Sequence, residues 1–275
     1  MHSSVEVAVA VKKNPRKALS TALSKLTQPL PIVGEESRVV IKPSILDPKI
    51  PGNTSLEIIR AIIAFFDRAS NVVLVESDNP YRSVEQAYSK LGYSSLASDK
   101  VELLNLSLAE LYPATMSGQY FTKAHAMPQI LGYPLFLVNV ATLKFNPAEN
   151  IIWGGIKNLF GLLPEVEKQQ YHERLEDVLL DLLGAFRPNL TIMDLSQVVI
   201  GKRAAGKIIE VGGVVVGTDP VAVDSYCVGL LGFDPMKVAY LRRAYALGYG
   251  EALLDRIEVR GTEHQKQLLS DLIGQ

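Results

Sequence analysis

The sequence predicts an α/β fold, a doubly wound, mostly parallel sheet with helices on both faces. Three observations predict it. Apolar runs of strand length alternate along the chain with apolar patterns of helical period. The run Asn71-Val72-Val73-Leu74-Val75-Glu76 is apolar on successive residues, as a strand covered on both faces requires. The spacing leaves room for a helix between strands, and such strand–helix–strand units wind right-handedly into a parallel sheet.

The elements follow in order. Val5 to Val11 alternates Val with Glu or Ala and reads as strand. Pro15 to Leu26 carries a helical apolar pattern. Arg38 to Lys42 is a short strand stopped by Pro43. Ser55 to Ala69 is a helix with Leu56, Ile59, Ile62, Ile63 and Phe66 on one face. After the strand Asn71–Glu76 comes a helix from Ser83 to Leu91, opened by Ser83 with Gln86 three residues on and closed by Gly92. Val101 to Leu106 is strand. Residues 112–134 are the least regular stretch and read as an excursion or a flap over a site. Leu135 to Val140 is strand, Ile151 to Leu162 helix, Glu173 to Phe186 helix and Leu190 to Met193 strand. Lys207 to Val216 gives one or two strands. Pro220 to Leu231 and Pro235 to Tyr245 are helices, and Ile257 to Arg260 is a last strand. No repeat, linker or low-complexity run divides the 275 residues, so one α/β domain over 1–275 is expected.

Composition narrows the function. Hydrophobic residues make up 48% and charged residues 21%, which suits a large core rather than a disordered chain. A net charge of -1 supplies no overall field toward nucleic acid or an anionic membrane, so any basic site is local. The first residues, Met1 to Glu6, lack a basic segment followed by an apolar one, and no apolar run approaches the roughly 20 residues of a membrane span. A cytoplasmic protein is the expectation. One cysteine, Cys227, excludes an intramolecular disulfide and a four-cysteine iron–sulfur or zinc site within the chain. It lies in an apolar run and reads as a core residue rather than a reactive thiol.

Ligands of open α/β sheets bind beyond the carboxyl ends of the strands. Those ends deliver Lys42-Pro43-Ser44, then Glu76-Ser77-Asp78, then Thr142-Leu143-Lys144, then Asp194, then Gly217-Thr218-Asp219-Pro220. Lys42, Asp78, Lys144, Lys157 and Asp219 are therefore expected to line one cleft. Asp219 before Pro220 equally fits a helix N-cap with proline at the first helical position. Asp224, in an otherwise apolar helix, needs a partner if buried. Gly154-Gly155 before a helix can present backbone N–H groups to an anion, with Lys157 and Asn158 one turn in. No Walker loop, dinucleotide fingerprint, Gly-x-Ser-x-Gly elbow or paired-histidine metal motif is present. His172 is the best placed of four histidines for proton transfer, a solvated surface position being the alternative.

Several of these segments together resemble a known family. Val40-Ile41-Lys42-Pro43-Ser44, Ile156-Lys157-Asn158-Leu159-Phe160-Gly161, Tyr171-His172 and Gly217-Thr218-Asp219-Pro220-Val221-Ala222-Val223-Asp224 are similar to the conserved blocks of domain of unknown function family 362. That family occurs in bacteria and archaea, and some members are fused to a ferredoxin-like iron–sulfur module. The resemblance implies sites without a reaction. It also departs in places. Ser44 stands where the family has Asn. Thr142-Leu143-Lys144-Phe145-Asn146 replaces the family's Lys-x-Lys-Thr-His, so the first lysine and the histidine are lost. Gly201-Lys202-Arg203-Ala204-Ala205-Gly206 keeps two glycines of a richer stretch.

Two readings follow. One is an enzyme acting on a small carboxylate- or phosphate-bearing metabolite, with Lys42, Ser44, Lys144, Gly154, Gly155, Lys157, Asn158, Thr218 and Asp219 binding it and His172 or Asp78 moving protons. The other is a ligand-binding protein without turnover, or a subunit that joins a redox or other partner protein. A weaker expectation is an oxygen-ligand site for magnesium at Asp78, Asp194, Asp219 and Asp224.

Overall fold

The computed structural model describes residues 5–28, 30, 37–116, 118–202 and 204–273. Met1 to Ser4, part of the leader reading, and Arg203 of the eroded glycine stretch lie outside the described residues.

The first half follows local sequence closely. Strand β1 (Val5–Val11) leads to helix α1 (Pro15–Leu23), which starts where the Asn14 side chain accepts from the Lys17 amide at 2.9 Å. Strand β2 (Arg38–Pro43) precedes α2 (Leu56–Phe65), capped by Ser55. Strand β3 (Asn71–Glu76) precedes α3 (Val84–Lys90), where Ser83 and Gln86 form a reciprocal capping box. Strand β4 (Val101–Asn105) ends this series.

The excursion contains a small antiparallel pair, β5 (Leu111–Ala114) and β6 (His125–Pro128). Next come β7 (Phe136–Asn146), β8 (Ile151–Ile152), the single turn α4 (Gly155–Asn158) and α5 (Leu175–Ala185). The chain ends through β9 (Leu190–Ile200), β10 (Lys207–Ile209), β11 (Gly213–Gly217), α6 (Pro220–Leu230), α7 (Ala239–Ala246), β12 (Ile257–Arg260) and α8 (Glu263–Ile273).

The main sheet runs β12-β1-β11-β9-β7-β2-β3-β4. Every neighbouring pair on this path is parallel except those of β11, which is antiparallel to β1 and to β9. Helices α1, α2 and α3 bury one face with Leu19, Ile58, Ile62 and Ala87. Helices α4 to α8 bury the other with Ile156, Leu179, Val223, Leu241 and Leu269. The predicted fold class is the observed one.

Three expectations change. Strands β7 and β9 run well past Val140 and Met193, so Lys144 and Asp194 lie inside strands rather than after them. Polar residues inside these strands disguised their length, and they are tolerated because neighbours satisfy them. The predicted helix Ile151–Leu162 is a two-residue strand, one α-turn and a 3-10 turn over Leu159–Leu162. The predicted helix Pro235–Tyr245 is broken at Val238, which is extended between a 3-10 turn and α7.

Candidate functional site

Lys42, Asn139, Thr191 and Gly217 share one level across the sheet. Above that level, on the carboxyl side of β2, β3 and β7, lies a cleft of about 410 Å3. Its opposite wall is the arm from Trp153 to His172 that follows β8. A volume of this size suits a small metabolite.

Lys42 forms the floor. Its Nζ donates to Glu76 Oε2 at 2.8 Å, and both side chains are almost wholly buried. Burial lowers the Lys42 pKa, and the Glu76 charge opposes that shift. Glu76 Oε1 accepts from the Ser77 amide at 2.9 Å. Arg82 ties the two loops together, donating to the carbonyls of Ser77 (2.6 Å), Ile45 (2.8 Å) and Leu46 (3.2 Å). Gly161 packs onto the ion pair, where a Cβ would stand 2.7 Å from Lys42 Nζ.

Lys144 enters from β7. Its Nζ reaches Ser44 Oγ (3.2 Å), the carbonyls of Gly52 (3.1 Å) and Thr142 (3.2 Å), and Thr142 Oγ1. Lys157 lies 3.9 Å above the Phe160 ring. Asn158 Nδ2 donates to Asn139 Oδ1 (2.8 Å) and to the Lys42 carbonyl (3.1 Å), which fixes the arm against the sheet. His172 closes the wall. Its Nδ1 lies 3.2 Å from the Lys168 carbonyl, and desolvation together with the Lys157 charge holds its pKa below the ordinary histidine value.

Lys42, Ser44, Lys144, Gly154, Lys157, Asn158 and His172 thus share the cleft as expected, joined by Trp153 and Tyr81. The remaining predicted residues are placed elsewhere. The Asp78 carboxylate accepts from the Val84 amide (2.7 Å) and Asn105 Nδ2 (3.0 Å), so it opens α3 rather than facing the cleft. Thr218 and Asp219 leave the sheet at its amino edge, because β11 is antiparallel and the chain beyond Gly217 heads past Leu190. Asp219 caps α6 through the amides of Val221 (2.8 Å) and Ala222 (3.1 Å) and accepts from Glu251 N (3.0 Å).

Gly155 also differs from expectation. The anion at the N-terminus of α4 is internal: Asp224 Oδ1 accepts from Gly155 N at 2.6 Å and Oδ2 from Ile156 N at 2.9 Å. Asp224 is wholly buried, and burial pushes its carboxyl up to about 7 against the lowering effect of the two amides. The tight Gly-Gly turn admits this carboxylate, since a Cβ on Gly154 would stand 2.5 Å from Asp224 Oδ1. Asp194 is likewise committed, accepting from Ser55 N (2.9 Å), Ser196 N (2.9 Å) and Ser196 Oγ (2.6 Å). The aspartates proposed for magnesium are therefore not gathered. Among the described residues no three His, Cys, Asp or Glu side chains form a group that could hold a metal ion. Cys227 is buried, as its apolar neighbourhood implies.

The family model for Domain of unknown function (DUF362) matches residues 39–229. The chain belongs to this family. No curated protein matches it. The matched segment carries every residue of the cleft wall, from Lys42 to His172, whereas β1, α1, α7, β12 and α8 lie outside it. Thr142 Oγ1 donates to the Gly52 carbonyl at 2.7 Å. Asn146 is buried and accepts from Ala148 N at 3.2 Å.

Among the charged residues of the cleft, Glu76, Arg82, Glu167 and Lys168 were not picked out from sequence as ligand-binding. Lys168 Nζ donates to Ser77 Oγ (2.9 Å) and the Asp78 carbonyl (3.2 Å). Burial is the main reason its pKa falls to about 8. It sits on an arm without periodic pattern, and its nearest signal was the Lys168-Gln169-Gln170-Tyr171-His172 run already singled out for His172. Among the described residues the excursion over 112–134 lends none to the cleft wall. It backs the arm instead, with His125 Nε2 2.8 Å from Glu165 Oε1 and Tyr171 OH donating to the same oxygen at 2.8 Å. Among the described residues no helix is long and apolar enough to cross a membrane.

Proposed function

We propose that the protein binds a small carboxylate- or phosphate-bearing metabolite in the cleft at the carboxyl edge of β2, β3 and β7, and acts on it as an enzyme. One observation carries this reading. Among the described residues Lys42, Arg82, Lys144, Lys157 and Lys168 share a wall with two carboxylates, Glu76 and Glu167, in a chain whose net charge is -1. Like charges gathered in a recess with low-dielectric walls focus the field and raise the local concentration of anions. Repulsion among five cations costs stability, and a bound anion relieves it. Lys168, whose pKa falls to about 8, and His172, whose pKa is held below the ordinary histidine value by desolvation and the Lys157 charge, supply groups for proton transfer at the bound ligand.

A second reading has its own support. Thr142 and Asn146 replace the lysine and histidine expected from the family pattern, which favours a member that binds a ligand without turning it over, alone or as a subunit beside a partner protein. Under both readings the protein is cytoplasmic and takes neither nucleic acid nor membrane as its ligand.

The single tryptophan, Trp153, lines the cleft and reports on it directly. Titration with inorganic phosphate and with small dicarboxylates at constant ionic strength is expected to give a saturable change in its fluorescence. The Lys144→Ala, Lys157→Ala double variant is expected to lose that change. A folded double variant with the full response ends the anion-site reading. Product formation from a bound metabolite, followed by mass spectrometry, separates the enzyme from the non-catalytic binder.

A further inference from the structure

The four lysines of the cleft are not equivalent. Lys42 is paired with a carboxylate at 2.8 Å. Lys144 is ringed by the oxygens of Ser44, Gly52 and Thr142, which engage its N–H groups as an ammonium. Lys157 lies over an aromatic ring, a contact that favours a cation. Lys168 makes two hydrogen bonds, to Ser77 Oγ at 2.9 Å and the Asp78 carbonyl at 3.2 Å, both to neutral oxygens. The Ser77 hydroxyl donates to the Gly161 carbonyl at 3.1 Å, so its oxygen is left as an acceptor toward Lys168.

This pattern serves the neutral amine as well as the ammonium. Two N–H bonds are donated to neutral oxygens, and the third tetrahedral position, the lone pair, remains available on a side chain that lines the cleft. Burial, with the nearby Lys42 and Arg82 charges, lowers the Lys168 pKa to about 8. At neutral pH it therefore holds a few hundred-fold more of the neutral amine than an ordinary lysine does.

We propose that Lys168 is the reactive amine of the cleft and that the ligand it meets is an aldehyde or ketone bearing a phosphate or carboxylate. This rests on the anion-binding reading above and goes beyond it by naming the reacting group and the ligand's second functional group. The cationic wall holds the anionic end and brings the carbonyl carbon to Nζ. The Nζ lone pair forms a C–N bond while the carbonyl π pair moves to oxygen, which takes a proton from the nitrogen. Loss of that oxygen as water, with the second nitrogen-bound hydrogen, leaves an imine.

Pyridoxal phosphate, an aldehyde with a phosphate monoester, is the probe. The full chain is incubated with it, reduced with borohydride and mapped by peptide mass spectrometry. The expected result is preferential modification of Lys168, a rate that rises with pH to a plateau above about 8, and protection by excess inorganic phosphate. Lys168→Arg keeps the charge and is expected to lose that modification, the phosphate-dependent Trp153 signal being read on the unmodified wild-type chain. Lys168→Met is the second variant should the arginine not fit. Modification that favours Lys157 or surface lysines, or that is undiminished in both variants, overturns the proposal while leaving anion binding intact. Modification of Lys168 that phosphate neither slows nor accompanies with a Trp153 signal overturns the anion reading and keeps the amine.

Discussion

Asp224 is wholly buried and accepts two backbone hydrogen bonds at 2.6 and 2.9 Å. Its neighbours Val221, Ala222, Val223 and Cys227 are all in the core, so the carboxylate lies among mainly apolar side chains of α6, with buried Ser225 next to it in the chain. Removing the carboxylate leaves two buried amides without acceptors, and Asp224→Ala is expected to cost about 3 kcal/mol in urea unfolding. The pH dependence has a definite sign. The folded pKa is about 7, above the value near 4 of an unfolded chain, so the folded state holds the extra proton in that window. Stability then falls as pH rises from about 4 to about 7, because the unfolded state binds fewer protons there. Asp224→Asn is expected to lack that component of the slope, measured as the difference between the two unfolding profiles. Gly161 offers a second residue-scale test. An added methyl would meet Lys42 Cε and Nζ at 2.7 Å and Glu76 Oε1 at 3.0 Å. Gly161→Ala is expected to destabilise by about 1–2 kcal/mol through overpacking, and to weaken phosphate binding by moving the floor of the cleft.

At the scale of elements, the arm that walls the cleft depends on what lies behind it. Asp181 on α5 accepts from the amides of Gln119 (2.8 Å), Tyr120 (2.8 Å) and Phe121 (2.9 Å) and so pins the excursion. Phe121 and Tyr120 in turn pack on Tyr171 of the arm, with ring centroids 5.9 and 5.6 Å apart. Asp181→Ala is expected to cost about 2–4 kcal/mol and to raise amide hydrogen exchange at residues 118–121 before the sheet is affected. Much of this was hidden from sequence. An excursion over 112–134 was legible from its irregularity, but its role as a backing for the arm rests on Asp181, the buried one of three carboxylates on α5, some 60 residues away in the chain. Elements with their own signals fared better. Asn71–Glu76 and Ile257–Arg260 have the bounds their apolar runs predict, and Ser83 with Gln86 marks the start of α3. Helix α8 carried too few apolar residues to stand out, since it buries only Leu269 and Ile273.

For the whole molecule, the field of the cleft sets ligand affinity. Because five cations act together over a short range, affinity is expected to fall with added salt, most steeply below about 0.15 M where the Debye length exceeds about 8 Å. It is also expected to weaken as pH rises through about 8, where Lys168 loses its proton and one positive charge leaves the wall. A dicarboxylate is the ligand for that measurement, because its own charge is constant above neutrality. Affinity unchanged between pH 7 and 9 in the Trp153 titration contradicts the contribution of Lys168.

The sequence by itself determined the α/β class, the order of strands and helices in the first half, the buried cysteine and a group of lysines toward the carboxyl edge of the sheet, because each rests on local periodicity or on composition. Lys42, Lys144 and Lys157 were legible for that reason. Only the tertiary structure decided which carboxylates were ligands and which were supports. Strand direction is a property of the sheet, and the antiparallel course of β11 carries Asp219 to the amino edge, where it serves as a helix cap. The backbone N–H groups at Gly154-Gly155 looked free for an outside anion, and a buried aspartate 69 residues from Gly155 in the chain takes those of Gly155 and Ile156. Lys168 entered the site on a loop without period, brought to Ser77 and Asp78 by packing that no window of sequence contains.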